Sequence, residues 1–232
     1  MSWKSWDELP PPMRTAEVRK YYDSIQNKQT TLIVKRGFDI AASLLLLLVA
    51  SPAFLVLAAA IKADSAGPVF YRQERVTQYG KRFHIHKFRS MENGADQKGS
   101  LVTVHNDARV TRVGAFIRKY RIDELAQLID VLEGNMSFVG TRPEVPKYVE
   151  RYTPEMMATL LLPAGITSEA SIRYRDEEKL LDSAQDVDRV YVEQVLPEKM
   201  KLNLASLEKL SLREDLLTML RTVLAVFGKE YC

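Results

Sequence analysis

Ile40 to Ile61 is a run of 22 residues without a charged side chain, interrupted near its middle by Ser51-Pro52. As one straight helix it would reach roughly 33 Å, enough to cross a bilayer. Pro52 lacks a backbone N–H and its ring crowds the preceding turn. The run is therefore expected to kink or break there, into legs of roughly 15 Å, about half a hydrocarbon core. Ser51 is placed to bond a carbonyl that Pro52 frees. Lys35-Arg36 precede the run and Lys62 follows it, so the positive-inside rule has no asymmetry to act on. Three arrangements remain open from this segment alone: a hairpin dipping into one leaflet, a kinked spanning helix, or a helix in a protein core.

The remainder faces water. Charged residues make up 27% of the 232, which excludes a polytopic membrane protein. A net charge of +3 is too small to argue for nucleic acid. The charge is uneven, however: Pro68 to Glu124 holds twelve Lys/Arg against six Asp/Glu. Such an excess suits phosphates or anionic headgroups. Cys232 is the sole cysteine, so no intramolecular disulfide can form, which is compatible with a reducing cytoplasm. A long polar stretch precedes the apolar run, so no signal peptide is expected.

Residues 1–12 read as an exposed tail stopped by Pro10-Pro11-Pro12, with Trp3 and Trp6 as alternative membrane-interface residues. Residues 13–30 have modest helical character. Gly67-Pro68 marks a break, after which Val69 to Val76 and Arg82 to Phe88 read as two strands around Gln78-Tyr79-Gly80-Lys81. Residues 90–105 read as a loop and Arg112 to Arg121 as a short basic helix. Leu125, Leu128, Ile129 and Leu132 recur at helical spacing up to Gly134. Met136 to Val139 is a short apolar piece and 154–162 a small apolar helix. Asp186 to Val195 and Leu212 to Phe227 are two further helices. The expected division is a tail and helix over 1–33, a membrane hairpin over 34–66 and a catalytic unit over 67–232.

Asp123-Glu124 stands where the helix with Leu125 to Leu132 begins. Carboxylates there can simply cap a helix. They can also divide labour, one attacking and one holding a divalent metal. Arg118, Lys119 and Arg121 crowd in front of the pair, as a phosphate site requires. Lys87 and Arg89 end the second strand, on a shared face or on a solvated edge. Arg142 stands in Gly140-Thr141-Arg142-Pro143, a stiff turn offering a guanidinium for a bidentate phosphate grip or a salt bridge. His84, His86 and His105 lack cysteine neighbours and read as structural.

In order, the chain carries Ser51-Pro52, then Gly67-Pro68-Val69-Phe70-Tyr71-Arg72-Gln73-Glu74-Arg75-Val76, then Lys87-Phe88-Arg89-Ser90-Met91. Asn106 to Gly114, Ile122-Asp123-Glu124-Leu125 and Met136 to Glu144 follow. This ordered set resembles the bacterial sugar transferases, polyprenyl-phosphate phosphoglycosyl transferases of the monotopic superfamily, over roughly residues 34–230, in their compact catalytic form. The resemblance implies a mixed α/β cytosolic unit with a small β-hairpin, riding on a re-entrant helix hairpin broken at Ser51-Pro52. It implies transfer of a phosphosugar from a UDP-sugar to undecaprenyl phosphate, at the cytoplasmic face of the bacterial inner membrane, with release of UMP. The step passes through a covalent aspartyl-phosphosugar and needs magnesium, with manganese as the alternative. Carried over residue by residue, Asp123 is the nucleophile and Glu124 helps hold the metal. Lys87, Arg118 and Arg142 serve the phosphates, and Arg175 and Asp188 match substrate positions less closely. Implied partners are the UDP-sugar, undecaprenyl phosphate and membrane lipids, with no nucleic acid and a homodimer left open. Ala126 and Thr141 stand where the family usually has Pro, and Ser168 to Arg175 departs from the usual pattern, which leaves the sugar unspecified. The rival is a non-catalytic, membrane-anchored module that binds anionic lipid or a nucleotide sugar, which would not need the Asp123-Glu124 pair.

Overall fold

The computed structural model describes residues 3–95, 107–175 and 186–226. Most of the loop read over 90–105, together with His105, Asn106, Phe227 and Cys232, lies outside the described residues. The fold mixes helices and short two-stranded sheets with one long apolar helix.

Residues 3–12 are not an exposed tail. Trp3 stacks on Tyr22 at 5.2 Å, Trp6 meets the same ring edge-on, and Tyr22 Oη donates to the Lys4 carbonyl. Leu9 and Met13 are buried against helix α1 (Ala16–Gln26) and the 3-10 turn Met156–Leu161. Four large apolar side chains outweigh the breaker signal of the prolines, which here only bend the chain onto the core.

Helix α2 (Gln29–Asp64) contains the whole apolar run and continues through Pro52, so the run is not broken into two helices. An N–H at position 52 would have served the Leu48 carbonyl. Ser51 Oγ donates to that carbonyl at 2.8 Å instead. In the middle of α2, Leu45, Leu48, Val49, Leu55 and Val56 are 62–73% exposed, a surface that calls for an apolar medium. The ends are tied down. Lys35 Nζ donates to the Val139 carbonyl at 2.9 Å and to Asp215 at 2.6 Å. Arg36 donates to the carbonyls of Val131 and Leu132 at 2.6 and 2.9 Å. At the other end Ile61 is buried in a cluster with Phe88, Ile117 and Ala126. Arg89 donates to the carbonyls of Ser65, at 2.7 Å, and Ala66, capping the helix. Arg89 is buried, so the solvated strand edge is not found.

Strands β1 (Phe70–Val76) and β2 (Arg82–Phe88) form the expected antiparallel hairpin, with Tyr71 opposite Lys87 and Arg72 opposite His86. Helix α3 (Arg112–Lys119) leads into a 3-10 turn, Ile122–Ala126, and then α4 (Gln127–Glu133), which closes at Gly134 with φ of 84°. Strand β3 (Met136–Val139) pairs in parallel with β4 (Ala164–Thr167). A Cβ on Gly165 would lie 2.1 Å from the Gly140 nitrogen, so this crossing demands glycine. Neither β4 nor its pairing was expected, since four residues after Pro163 are too few to display an alternation.

Helices α5 (Pro146–Val149), α6 (Glu169–Arg173), α7 (Val187–Val190), α8 (Leu196–Glu208) and α9 (Leu212–Val226) complete the unit. The helix read over 186–195 runs on past Val195. A π turn, Tyr191–Val195, sends the Leu196 N–H to the Tyr191 carbonyl, and Pro197 falls in the first turn of α8, where it is tolerated.

Candidate active site

Asp123 and Glu124 do not begin the α-helix. They occupy the 3-10 turn ahead of α4, and Arg121 enters that turn in the left-handed region at φ 52°. The tight turn drives Asp123 into the body of the protein, where it is 8% exposed. Among the described residues no side chain or N–H hydrogen-bonds the Asp123 carboxylate, so it does not act as a cap.

Glu124 is held from several sides. Arg142 contacts both its oxygens, Nη1 reaching Oε2 at 3.3 Å and Nη2 meeting Oε1. Lys87 Nζ lies 3.4 Å and Arg121 Nη1 3.9 Å from Oε1. Burial by itself would raise the Glu124 pKa, but Arg142 and then Lys87 override it and hold the carboxyl well below the usual range. Asp123 shifts the other way. Burial raises its pKa and the Glu124 charge adds to this, while Lys87, Arg118 and Arg142 oppose it. Burial also lowers the pKa of Lys87, against the pull of Glu124. The pair is thus electrostatically split: one carboxylate firmly ionised, the other costly to ionise until more positive charge arrives.

The remaining expected residues are distributed. Arg118 on α3 acts on Asp123 through its charge. Arg175 donates to the Ala225 carbonyl at 2.6 Å, and its own carbonyl accepts from Arg121 at 2.7 Å, so it borders the cluster. Asp188 accepts from Lys147 and Tyr148, each at 2.5 Å, in a separate group of contacts between α5 and α7.

Two site residues were missed. Arg121 approaches Glu124, though it was noted only as one of three crowding cations. Arg75 donates to the Pro143 carbonyl at 2.9 Å and so braces the turn that presents Arg142. Its signal was its place in the Gly67 to Val76 run. A cleft of about 310 Å³ opens elsewhere, behind Gly140-Thr141 and between α8 and α9, and includes neither Asp123 nor Glu124.

Asp123 and Glu124 supply hard oxygen donors of the kind magnesium takes, so the residues fit that ion by donor chemistry. A metal on Glu124 must share it with, or displace, Arg142. His86, Asp130 and Glu133 also approach one another. That group does not fit a metal, because His86 Nδ1 is bonded to Asp130 at 2.8 Å and Nε2 contacts Arg72.

The bacterial sugar transferase family matches residues 30–229, and the chain belongs to it. A putative undecaprenyl-phosphate N-acetylgalactosaminyl 1-phosphate transferase of Bacillus subtilis is 43% identical over 149 residues, covering 64% of this chain and 82% of that protein. The UDP-glucose:undecaprenyl-phosphate glucose-1-phosphate transferase of Escherichia coli is 39% identical over 157 residues, 66% of this chain and 34% of that protein. A UDP-N-acetylgalactosamine-undecaprenyl-phosphate N-acetylgalactosaminephosphotransferase of Aeromonas hydrophila is 45% identical over 123 residues, 53% of this chain and 29% of that protein. The chain thus spans most of the first relative and about a third of the other two.

Proposed function

We propose that this chain transfers a phosphosugar from a UDP-sugar to undecaprenyl phosphate, releasing UMP, in the synthesis of a surface glycoconjugate. Family membership and the activities of the relatives carry the reaction class. One observation supports the course of the reaction: Asp123, without a hydrogen-bond partner among the described residues, stands beside a Glu124 that is engaged by cations. Asp123 attacks the phosphorus that bears the sugar, and the bond to the UMP oxygen breaks. An oxygen of the lipid phosphate then attacks the same phosphorus and returns the Asp123 carboxylate. Lys87, Arg118 and Arg142 offset the diphosphate charge, without which a carboxylate cannot approach phosphorus. Magnesium, or manganese, held at Glu124 supplies further positive charge when bound.

The re-entrant, cytoplasmic-face arrangement is part of this proposal. Arg36 reaches Val131 while Ile61 shares a cluster with Ala126. Residues 36 and 61 would stand roughly 37 Å apart along a straight helix, but residues 126 and 131 are only about 8 Å apart. Anchoring both ends of α2 on one water-facing unit favours a bend at Pro52 and a return to the same side. Exposed Phe116, Tyr120 and Leu125 beside one end, and Leu216, Leu220 and Val223 along α9, extend the apolar face.

The test is direct. Purified protein with a panel of UDP-sugars and undecaprenyl phosphate should release UMP from at least one. Without the lipid it should gain one phosphosugar by intact mass. Nucleotide-sugar or lipid binding with no UMP release would instead favour a non-catalytic module.

A further inference from the structure

Arg72, His86 and Asp130 form a line of contacts just behind the carboxylate pair. Asp130 is fully buried on α4, and both its oxygens are spent on one residue. Oδ2 accepts the His86 backbone N–H and Oδ1 faces His86 Nδ1, each at 2.8 Å. The backbone bond closes the outer edge of the hairpin, where no third strand stands among the described residues. On the far side of the ring, Arg72 Nη1 contacts His86 Nε2, while Nη2 is held by the His84 carbonyl at 2.8 Å. The ring of Phe70 stands edge-on to the imidazole at 6.0 Å.

Arg72 has no acceptor to offer. Nε2 must therefore accept, which puts the proton on Nδ1, pointing at Asp130. The contacts have one polarity, running from the arginine donor through the imidazole to the carboxylate acceptor. They join the residue next to Lys87 to the helix that follows Asp123-Glu124. We propose that Arg72, His86 and Asp130 are positioning residues that lock β2 onto α4 and thereby set the Lys87–Glu124 approach of 3.4 Å in the transferase site. None of the three need touch substrate. This rests on the transferase reading above.

The polarity makes the proposal testable by reversal. In Asp130→Asn the amide must donate to Nδ1, which forces the imidazole proton onto Nε2, against Arg72. Adding Arg72→Gln supplies an acceptor there and restores a relay running the other way. Single-turnover UMP release, KM and thermal melting are measured for wild type, Asp130→Asn and the double variant. Displacement of Lys87 by a fraction of an ångström predicts a rate about 30-fold lower in Asp130→Asn, with KM within about threefold. The double variant should recover about tenfold of that loss without a matching gain in melting temperature. An unchanged rate in Asp130→Asn, a loss matched by loss of folded protein, or a double variant no faster than the single each overturn the proposal. Should Asp130→Asn not fold, Arg72→Leu alone carries the test, because leucine removes the donor to Nε2 that a glutamine amide could still supply. It should slow the wild type several-fold, and an unchanged rate overturns the role. The ¹⁵N shifts of His86 in the wild-type chain should report Nδ1 protonated and Nε2 bare, and the opposite tautomer also overturns it. Those shifts can be read even if wild type releases no UMP, which would strike the functional reading instead.

Discussion

Arg142 holds both carboxylate oxygens of Glu124, while the adjacent Asp123 is left without a hydrogen-bond partner among the described residues. Two neighbours in sequence thus have opposite electrostatic fates. The ionised Glu124 is matched by Arg142 and Lys87, and Asp123 stays underpaired in a buried position.

Asp123→Asn should abolish turnover and raise the melting temperature. The amide removes the nucleophile, and a covalent step has no neighbouring substitute, so the rate should fall by several orders of magnitude. The stability sign follows from the raised pKa. A carboxyl whose folded pKa lies above its unfolded value contributes stability that is fully present at pH below the unfolded value. That contribution is lost as pH rises through the folded pKa. Burial opposes the ionisation of Asp123, and asparagine, which carries no charge at any pH, removes that opposition. Melting curves and UMP release on the same preparations check both halves, and a melting temperature that falls would contradict the sign.

Glu124→Gln should lose activity and stability together. Its depressed pKa places its contribution above the unfolded carboxyl value, so it is fully present at neutral pH and lost only as pH falls through the folded pKa. Removing the charge leaves Arg142 and Lys87 facing each other, a change of about 3 kcal/mol for a buried, paired carboxylate. Denaturant titration at pH 7 measures it, and a shift below about 0.5 kcal/mol, typical of a surface pair, would show that the pairing is screened.

The acid limb of the pH–rate profile should lie above the ordinary aspartate range, because Asp123 must be ionised to attack and its pKa is raised. Added divalent metal should move the limb toward lower pH by favouring the anion. A limb at the ordinary aspartate value with no metal response would show that burial does not govern this group. Turnover itself should stop in excess chelator and return with magnesium or manganese. Full activity in chelator would remove the metal from the proposal.

Single cysteines placed before residue 35 and after residue 66 should be labelled from the same side of the membrane. Pro52→Ala restores the missing donor and removes the ring clash, so it should favour a straight helix and yield some protein with its N-terminal segment labelled from the far side. Far-side labelling of that segment in the wild type would establish a spanning helix.

The hairpin β1–β2, the helix ending at Gly134 and the apolar run were legible because each is written in the pattern of a few neighbouring residues. Alternation, helical recurrence and absence of charge need no knowledge of the rest of the fold. The turn carrying Asp123-Glu124 was read as a helix start, since nothing local announces that Arg121 adopts a left-handed conformation. The burial of Leu9 and Met13 and the packing of Trp3 and Trp6 on Tyr22 were missed because the prolines beside them dominate any local reading.

The sequence by itself determined that an uncharged segment with a central proline must leave water, and that an acidic pair lies among cations in the order typical of a sugar transferase. Only the tertiary structure decided which cation serves which carboxylate. Glu124 takes Arg142 from 18 residues away and Lys87 from 37, Asp130 takes His86 across 44, and Lys35 reaches Asp215 across 180. Charges of one sign are interchangeable in a sequence. Packing makes them distinct, because side-chain reach and desolvation reward only the partners that the backbone brings within a few ångströms.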